Sequence, residues 1–250
     1  MRIGLIGAGN MASALARGWG EPVLVSDADH ARAQALADEL GGEAPGSNAY
    51  VADVADAVLL CHKPAQLGEV ADEIGGRAKA VVSILGGVPV ADVETAYPGL
   101  PVYRFMPNIP AETGQGVFAY APGSRASEGP ERAIVDKFAQ IGAVVPTPEP
   151  LIDAAMAVMS CSPAFFALVV EALVDAGVRQ GLQPADAGRM ATEAMAGTAA
   201  VLRDGGFDTL ALRRRVTSPG GSTARGLAAL ERGGVRAAFS DAVDAVVGAR

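Results

Sequence analysis

Cysteine, lysine and histidine are all scarce in this chain of 250 residues, and each scarcity removes a class of function. Cys61 and Cys161 are the only cysteines and lie far apart in sequence, too few for a disulfide framework or a cysteine zinc site. No metal site is expected, and a reducing compartment, the cytoplasm, fits best. Positive charge is also in deficit: 20 Lys and Arg face 28 Asp and Glu, for a net charge of −8. Without a broad basic surface, neither nucleic acid nor an anionic membrane is an expected partner. Lys63, Lys79 and Lys137 are the only lysines, and His30 and His62 the only histidines. None lies beyond residue 150, so the second half cannot supply a lysine or histidine as general base.

Long apolar runs are nearly absent too. The opening MRIGLIGAG lacks the charged region, apolar stretch and cleavage site of a signal peptide and reads directly as a strand entering a glycine turn. Ala154 to Val170 carries no charge, but Ser160, Cys161, Ser162 and Pro163 interrupt it and Asp153 and Glu171 bound it. A buried helix pair or a broken helix is expected there, not a membrane span.

Half of the residues are apolar, enough to build cores for two domains. From Arg2 to about Val145, short aliphatic runs alternate with helical stretches: RIGLI, PVLVS, DAVLLC, AVVSIL, PVYRF, GVFAY and GAVVP. That rhythm predicts a mostly parallel sheet with helices on its faces. Pro146, Pro148 and Pro150 then close the β-rich part, and the division is placed at 1–148 and 149–250. The second part reads as all α, with helices over Leu151–Gly181, Pro184–Arg203, Asp208–Arg215, Ser222–Glu231 and Val235–Arg250. Their broad apolar faces predict burial against one another and against a second copy of the chain.

The segment IGLIGAGNMASAL sets Gly7, Gly9 and Ala12 in the pattern G-x-G-x-x-[GA] between the first strand and the first helix. Gly7 permits the tight turn, Gly9 leaves room for a pyrophosphate, and Ala12 lets helix and strand pack closely. The amides of Asn10 and Met11 stand at the helix N-terminus, where the dipole favours negative charge. A second strand, VLVS, ends in Ser26 and Asp27 about 20 residues on, as a dinucleotide-binding Rossmann domain requires. Asp27 is placed to accept hydrogen bonds from an unmodified ribose and to repel a 2′-phosphate, which favours NADH over NADPH. Nearby Ser26, His30 and Arg32 leave NADPH open.

In the second half VTSPGGSTARGL is the most informative segment. Pro219, Gly220 and Gly221 make a turn, and Ser222 and Thr223 stand where a helix starts, offering amides and hydroxyls to a carboxylate. A plain capped helix after a proline-glycine turn is the other reading of the same residues. Without a helical-domain base, reduction of a C=N bond fits, because an imine nitrogen is protonated near neutral pH and the site mainly orients the partners.

Taken together, the chain resembles the pyrroline-5-carboxylate reductases over essentially its whole length. The resemblance rests on IGLIGAGNMA (3–12), Asn48 with the later Lys63 and Pro64, and RFMPNIP (104–110). It rests further on Asp153 with SPAFF (162–166) and on VTSPGGST (216–223). It implies that Asn48 and the segment Cys61, His62, Lys63 and Pro64 line the adenosine and ribose side of the cofactor, with Met106, Pro107 and Asn108 near the nicotinamide. By the same likeness Gly220, Gly221, Ser222 and Thr223 bind the substrate carboxylate, the Thr223 hydroxyl serves the ring nitrogen, and the helical domains form a homodimer or larger homo-oligomer. The fold implied is a Rossmann-type α/β domain followed by an all-α dimerisation domain.

The chain departs from the family at several positions. Met159, Ser160, Cys161 and Ser162 stand where a serine and glycine run is usual, Phe165 where tyrosine is common, Glu193 where glutamine is usual, and Ala28 where an arginine is often seen. A reductase of another small cyclic imine is therefore one alternative. A β-hydroxyacid dehydrogenase would need a helical-domain lysine that is missing, and a non-catalytic nicotinamide-binding regulator would have no use for SPGGST. Lys63 as a solvated cation, Arg104 as an ion-pair partner, Met106 as core and Arg213 to Arg215 as an exposed face are the corresponding structural readings.

Overall fold

A computed structural model of the chain describes residues 1–248. Among them, seven strands form one sheet: β1 (Ile3–Ile6), β2 (Leu24–Ser26), β3 (Ala57–Leu60), β4 (Val81–Ser83), β5 (Val102–Met106), β6 (Gly116–Pro122) and β7 (Gly142–Pro146). They match the seven aliphatic runs of the sequence. The spatial order is β2-β1-β3-β4-β5-β6-β7, with every pair parallel except the antiparallel β5 and β6. A lone parallel bridge from Leu24 to Glu43 extends the β2 edge.

Helices cover both faces, which is why β1 and β3 are aliphatic at nearly every position. On one face α1 (Asn10–Trp19), α2 (His30–Leu40) and α6 (Glu131–Ala139) pack Leu15, Leu36 and Phe138 against Leu5, Val25, Leu59 and Phe105. On the other, α3 (Asn48–Val54), α4 (Leu67–Ile74) and α5 (Val90–Ala96) pack Val51, Ile74 and Val93 against Ile6, Val58, Leu60 and Val81. Adjacent strand residues go to opposite cores, as the period of two demands. From β1 the chain first builds β2 on one side, then returns to place β3 on the other. This reversal opens a crevice at the carboxyl ends of β1, β2 and β3.

The remaining elements are helical: α7 (Ile152–Ala155), α8 (Ser162–Arg179), α9 (Pro184–Asp204), α10 (Thr209–Arg215), α11 (Ser222–Arg232) and α12 (Val235–Val247). The last predicted helix runs on to Arg250, and residues 249–250 lie outside the described ones. The long stretch expected over Leu151–Gly181 is a broken helix. Met156–Ser160 is a π turn, in which the Cys161 amide reaches back five residues to the Met156 carbonyl oxygen at 3.0 Å. Pro163 explains the break, because it has no N–H for the Met159 carbonyl oxygen one turn earlier.

The chain divides into two compact units, Met1–Pro163 and Ala164–Arg250. Residues 149–163 go with the first because Ile152 and Met159 pack onto the α3–α5 core. The second unit leaves large apolar side chains bare, with Leu168 64% and Phe166 50% exposed. The burial expected of the 154–170 stretch is therefore not met within a single chain.

Candidate active site

At the crevice the backbone itself dictates glycine. Gly7 has φ +109°, and a Cβ there would meet the carbonyl carbon of Cys61 at 2.6 Å and the amide nitrogen of His62 at 2.8 Å. The turn after β1 thus lies directly against the chain leaving β3, and any side chain at residue 7 would force them apart. Its amide donates to the Ser26 carbonyl oxygen at 2.7 Å, tying the same turn to β2. Gly9 differs. It caps α1 with φ −70°, an ordinary value, and a Cβ there would meet no atom of the protein within 4 Å. Nothing in the protein requires glycine at this position. The space it leaves lies at the start of α1, where the amides of Asn10 and Met11 have no helical acceptor. Ala12 is buried in the sheet-facing core.

Asp27, just beyond β2, is fixed by the backbone. One carboxylate oxygen accepts from the Ala8 amide at 2.6 Å and the other from the Asp29 amide at 2.8 Å, with an Arg32 nitrogen 3.9 Å away. The acid therefore braces the glycine turn while facing the crevice. Beside it, the Ser26 hydroxyl donates to Asn48, which opens α3, and Asn48 donates to Glu73 of α4.

The crevice encloses about 990 Å³, lined by Gly7, Gly9, Ser26, Asp27, Asn48, Cys61, His62 and Lys63 among the sequence-predicted residues. Three separate sequence regions, 7–9, 26–27 and 61–63, meet there because they lie at the carboxyl ends of three adjacent parallel strands, β1, β2 and β3. Burial pushes the Cys61 thiol pKa up, so it stays protonated. It pushes the His62 pKa below 6.5, leaving the ring neutral at pH 7; Nδ1 contacts the Lys63 carbonyl oxygen at 2.9 Å and Nε2 is buried without a partner. Pro64, Asn10, Met11, Met106, Pro107 and Asn108 are not part of the crevice wall. Met106 is core, and Asn108 is buried with both ends of its amide bonded to protein. Arg104 is a buried ion-pair partner of Glu149 at 2.5 Å.

Sequence reasoning passed over Gln66, Glu69 and Glu73, which also line the crevice. The available signal was the spacing of Glu69 and Glu73, four apart and so on one helical face after the Lys63-Pro64 corner.

In the second unit the Gly221 amide donates to the Ser218 carbonyl oxygen at 3.0 Å, closing a turn with Pro219 and Gly220 at its centre. Gly220 has φ +69°, the left-handed value that such a turn requires after proline. Gly221 caps α11, so the Ser222 and Thr223 amides open that helix with both residues exposed. The Arg225 guanidinium folds back to the Gly220 carbonyl oxygen at 2.7 Å and holds the turn against the helix.

A parallel sheet with a glycine turn at its reversal point, an acid ending β2 and a separate helical unit define a nicotinamide-dependent oxidoreductase with a helical partner domain. Comparison with known proteins narrows this. The family model for "Pyrroline-5-carboxylate reductase dimerisation" matches residues 149–249, and "NADP oxidoreductase coenzyme F420-dependent" matches residues 2–87. Pyrroline-5-carboxylate reductases of Corynebacterium melassecola and Methanosarcina acetivorans are 35% and 34% identical, each over 97% of this chain and 95% and 94% of theirs. The crystal structure of the 1-pyrroline-5-carboxylate reductase of Streptococcus pyogenes superposes with a TM-score of 0.89 at 28% identity, covering 99% of this chain and 97% of that one. The pyrroline carboxylate reductase of Plasmodium falciparum, solved with NADP bound, gives 0.83 at 25% identity, covering 99% and 96%. The chain belongs to the pyrroline-5-carboxylate reductase family. It is an NAD(P)-dependent oxidoreductase, and its helical part is the dimerisation domain of that family, which suggests a homo-oligomer.

Proposed function

We propose that the protein reduces the C=N bond of 1-pyrroline-5-carboxylate to give L-proline, the last step of proline synthesis, in the cytoplasm. The observation that carries this reading is the crevice at the sheet reversal in a chain that matches the family along 97% of its length. Room beside Gly9 and the free amides of Asn10 and Met11 fit a pyrophosphate, and Asn48 with Cys61, His62 and Lys63 fits the adenosine and ribose side, Pro64 serving only to turn the chain after them. Met106, Pro107 and Asn108 serve the nicotinamide end through their backbone, since the Asn108 amide is engaged elsewhere. Reduced nicotinamide, when bound, supplies the hydride to the imine carbon, C2 of the pyrroline ring, on the far side of the nitrogen from the carboxylate-bearing carbon.

The amides and hydroxyls of Gly220, Gly221, Ser222 and Thr223 hold the substrate carboxylate. The helix terminus contributes about 1 kcal/mol. The Thr223 hydroxyl, or a water held by it, delivers the proton to the ring nitrogen. Orientation supplies most of the acceleration, in keeping with the missing helical-domain base.

NADH is the preferred reductant in this reading. Asp27 is pinned at the end of β2 with its carboxylate on the crevice, where a ribose diol is welcome and a 2′-phosphate is not. Absorbance of NADH and, separately, NADPH with 1-pyrroline-5-carboxylate and purified protein at neutral pH tests both statements. Rapid NADH oxidation supports them. Cofactor binding without turnover points instead to another small cyclic imine, with Met159–Ser162 as the reason. Binding of neither cofactor removes the reading.

A further inference from the structure

A chain of side-chain hydrogen bonds runs along the crevice from β2 through α3 to α4. The Ser26 hydroxyl on β2 donates to Asn48 Oδ1 at 2.6 Å, and Asn48 Nδ2 donates to Glu73 Oε2 at 2.5 Å. All three residues line the crevice next to Asp27. An asparagine amide has two N–H donors and an oxygen with two lone pairs, so one donor and one lone pair remain for a ligand. Glu73 fixes which edge of the amide is which. Turning the amide over would set its oxygen against the carboxylate.

Charge makes a second, separate argument. Among the crevice residues, the carboxylates of Asp27, Asp29, Glu69 and Glu73 outnumber the fixed cations of Arg32 and Lys63. Asp27 and Asp29 already share Arg32, at 3.9 Å and 3.4 Å. Glu73 is bonded to the asparagine that reaches the β2 end, and adds a negative charge to the part of the crevice lined by Ser26, Asp27 and Asn48.

We propose that Glu73 is a specificity-determining and positioning residue of the cofactor site: it orients Asn48 and, by its charge, selects a dinucleotide whose adenosine ribose bears a hydroxyl in place of a phosphate. The proposal rests on the crevice being the nicotinamide-dinucleotide site. Its two parts separate by substitution. Glu73→Gln keeps an acceptor for Asn48 Nδ2 and deletes the charge; Glu73→Ala deletes both.

Dissociation constants of NADH and NADPH, measured by nicotinamide fluorescence on the full-length wild type and both variants, provide the test, with melting curves to report folding. Glu73→Gln is expected to hold NADH within about twofold and to tighten NADPH about fivefold, the effect of removing one charge at an exposed site. Glu73→Ala is expected to weaken NADH about tenfold through loss of a charge-assisted bond. A general structural role moves both cofactors together, whereas the proposal requires the NADPH-to-NADH ratio to change in Glu73→Gln. An unchanged ratio in that variant overturns the specificity role, and unchanged NADH binding in Glu73→Ala overturns the positioning role. Wild type that binds neither dinucleotide overturns the assignment of the crevice itself and is recognised by that result alone.

Discussion

Asn108 Nδ2 donates to the Met159 carbonyl oxygen at 2.9 Å, the oxygen that an amide at residue 163 would serve in an unbroken helix and that Pro163 cannot. The same side chain accepts the Val117 amide through Oδ1 at 2.8 Å. One buried asparagine thereby satisfies the first residues of β6 and the π turn before α8. Asn108→Ala is expected to destabilise the fold by about 2 kcal/mol, the cost of leaving such groups unpaired. Pro163→Ala restores a backbone donor and should recover part of that loss in the double variant. Urea unfolding of the wild type, both single variants and the pair measures the coupling; additive losses would sink the explanation.

Gly7 and Gly9 are both glycines of one motif, yet the structure gives them different duties. Gly7→Ala places a Cβ 2.6 Å from the Cys61 carbonyl carbon in a left-handed backbone, and should destabilise the fold by about 1–3 kcal/mol while weakening cofactor binding. Gly9→Ala places its Cβ in open space, and should leave stability within about 0.5 kcal/mol while weakening cofactor binding tenfold or more. Parallel thermal melts and cofactor titrations separate the two. A stability loss in Gly9→Ala would mean that its space is structural.

Much of this was legible in the sequence because the physics is local. Seven aliphatic runs became seven strands, and the glycine turn, the acid after β2 and the segment Cys61 to Lys63 came together because parallel strands end on one edge of a sheet. The π turn was not legible: Pro163 announces a break, but the partner of the orphaned carbonyl oxygen is an asparagine 51 positions earlier in the chain. Glu73 was half legible: its spacing from Glu69 marks one helical face, but only the fold shows that this face of α4 lines the crevice beside Asn48.

His62 makes stability depend on pH. Burial holds its pKa below 6.5 in the folded state, so between that lowered value and 6.5 the unfolded chain binds a proton that the folded chain does not. Stability therefore rises with pH through this window and falls as pH drops below 6.5, by up to about 1.4 kcal/mol per pH unit. His62→Gln removes the contribution. Melting temperatures from about pH 7.5 to about pH 5 should fall more steeply in the wild type than in the variant; equal slopes would show that His62 protonates freely in the fold.

The bare apolar face of α8 is expected to be covered by a second copy of the chain. Leu168 is 64% exposed and belongs to the segment matched by the dimerisation model. Leu168→Glu puts a charge where the interface would form, and light scattering at micromolar concentration should show the wild type as a dimer or larger and the variant as a monomer. A monomeric wild type would end this account of the face.

The turn before α11 gives the most direct test of the chemistry. Thr223 opens the helix with an exposed hydroxyl, and its proposed work is to deliver a proton to the substrate nitrogen. Thr223→Ala should lower kcat on the order of 10²-fold, the low end for a lost proton donor because the imine is already basic enough to be protonated in water. Thr223→Ser keeps the hydroxyl and should keep most of the turnover, with cofactor binding unchanged in both. At Gly221 a Cβ would lie 2.4 Å from Ser218 Oγ and 3.1 Å from the Ser218 carbonyl oxygen. Gly221→Val therefore fills the turn and should abolish saturation by substrate while leaving cofactor titrations as in the wild type. The Thr223 effect falls on kcat and the Gly221 effect on KM, because one residue acts on the reacting nitrogen and the other shapes the seat of the carboxylate. Wild-type kinetics in both Thr223→Ala and Gly221→Val would remove this turn from the site.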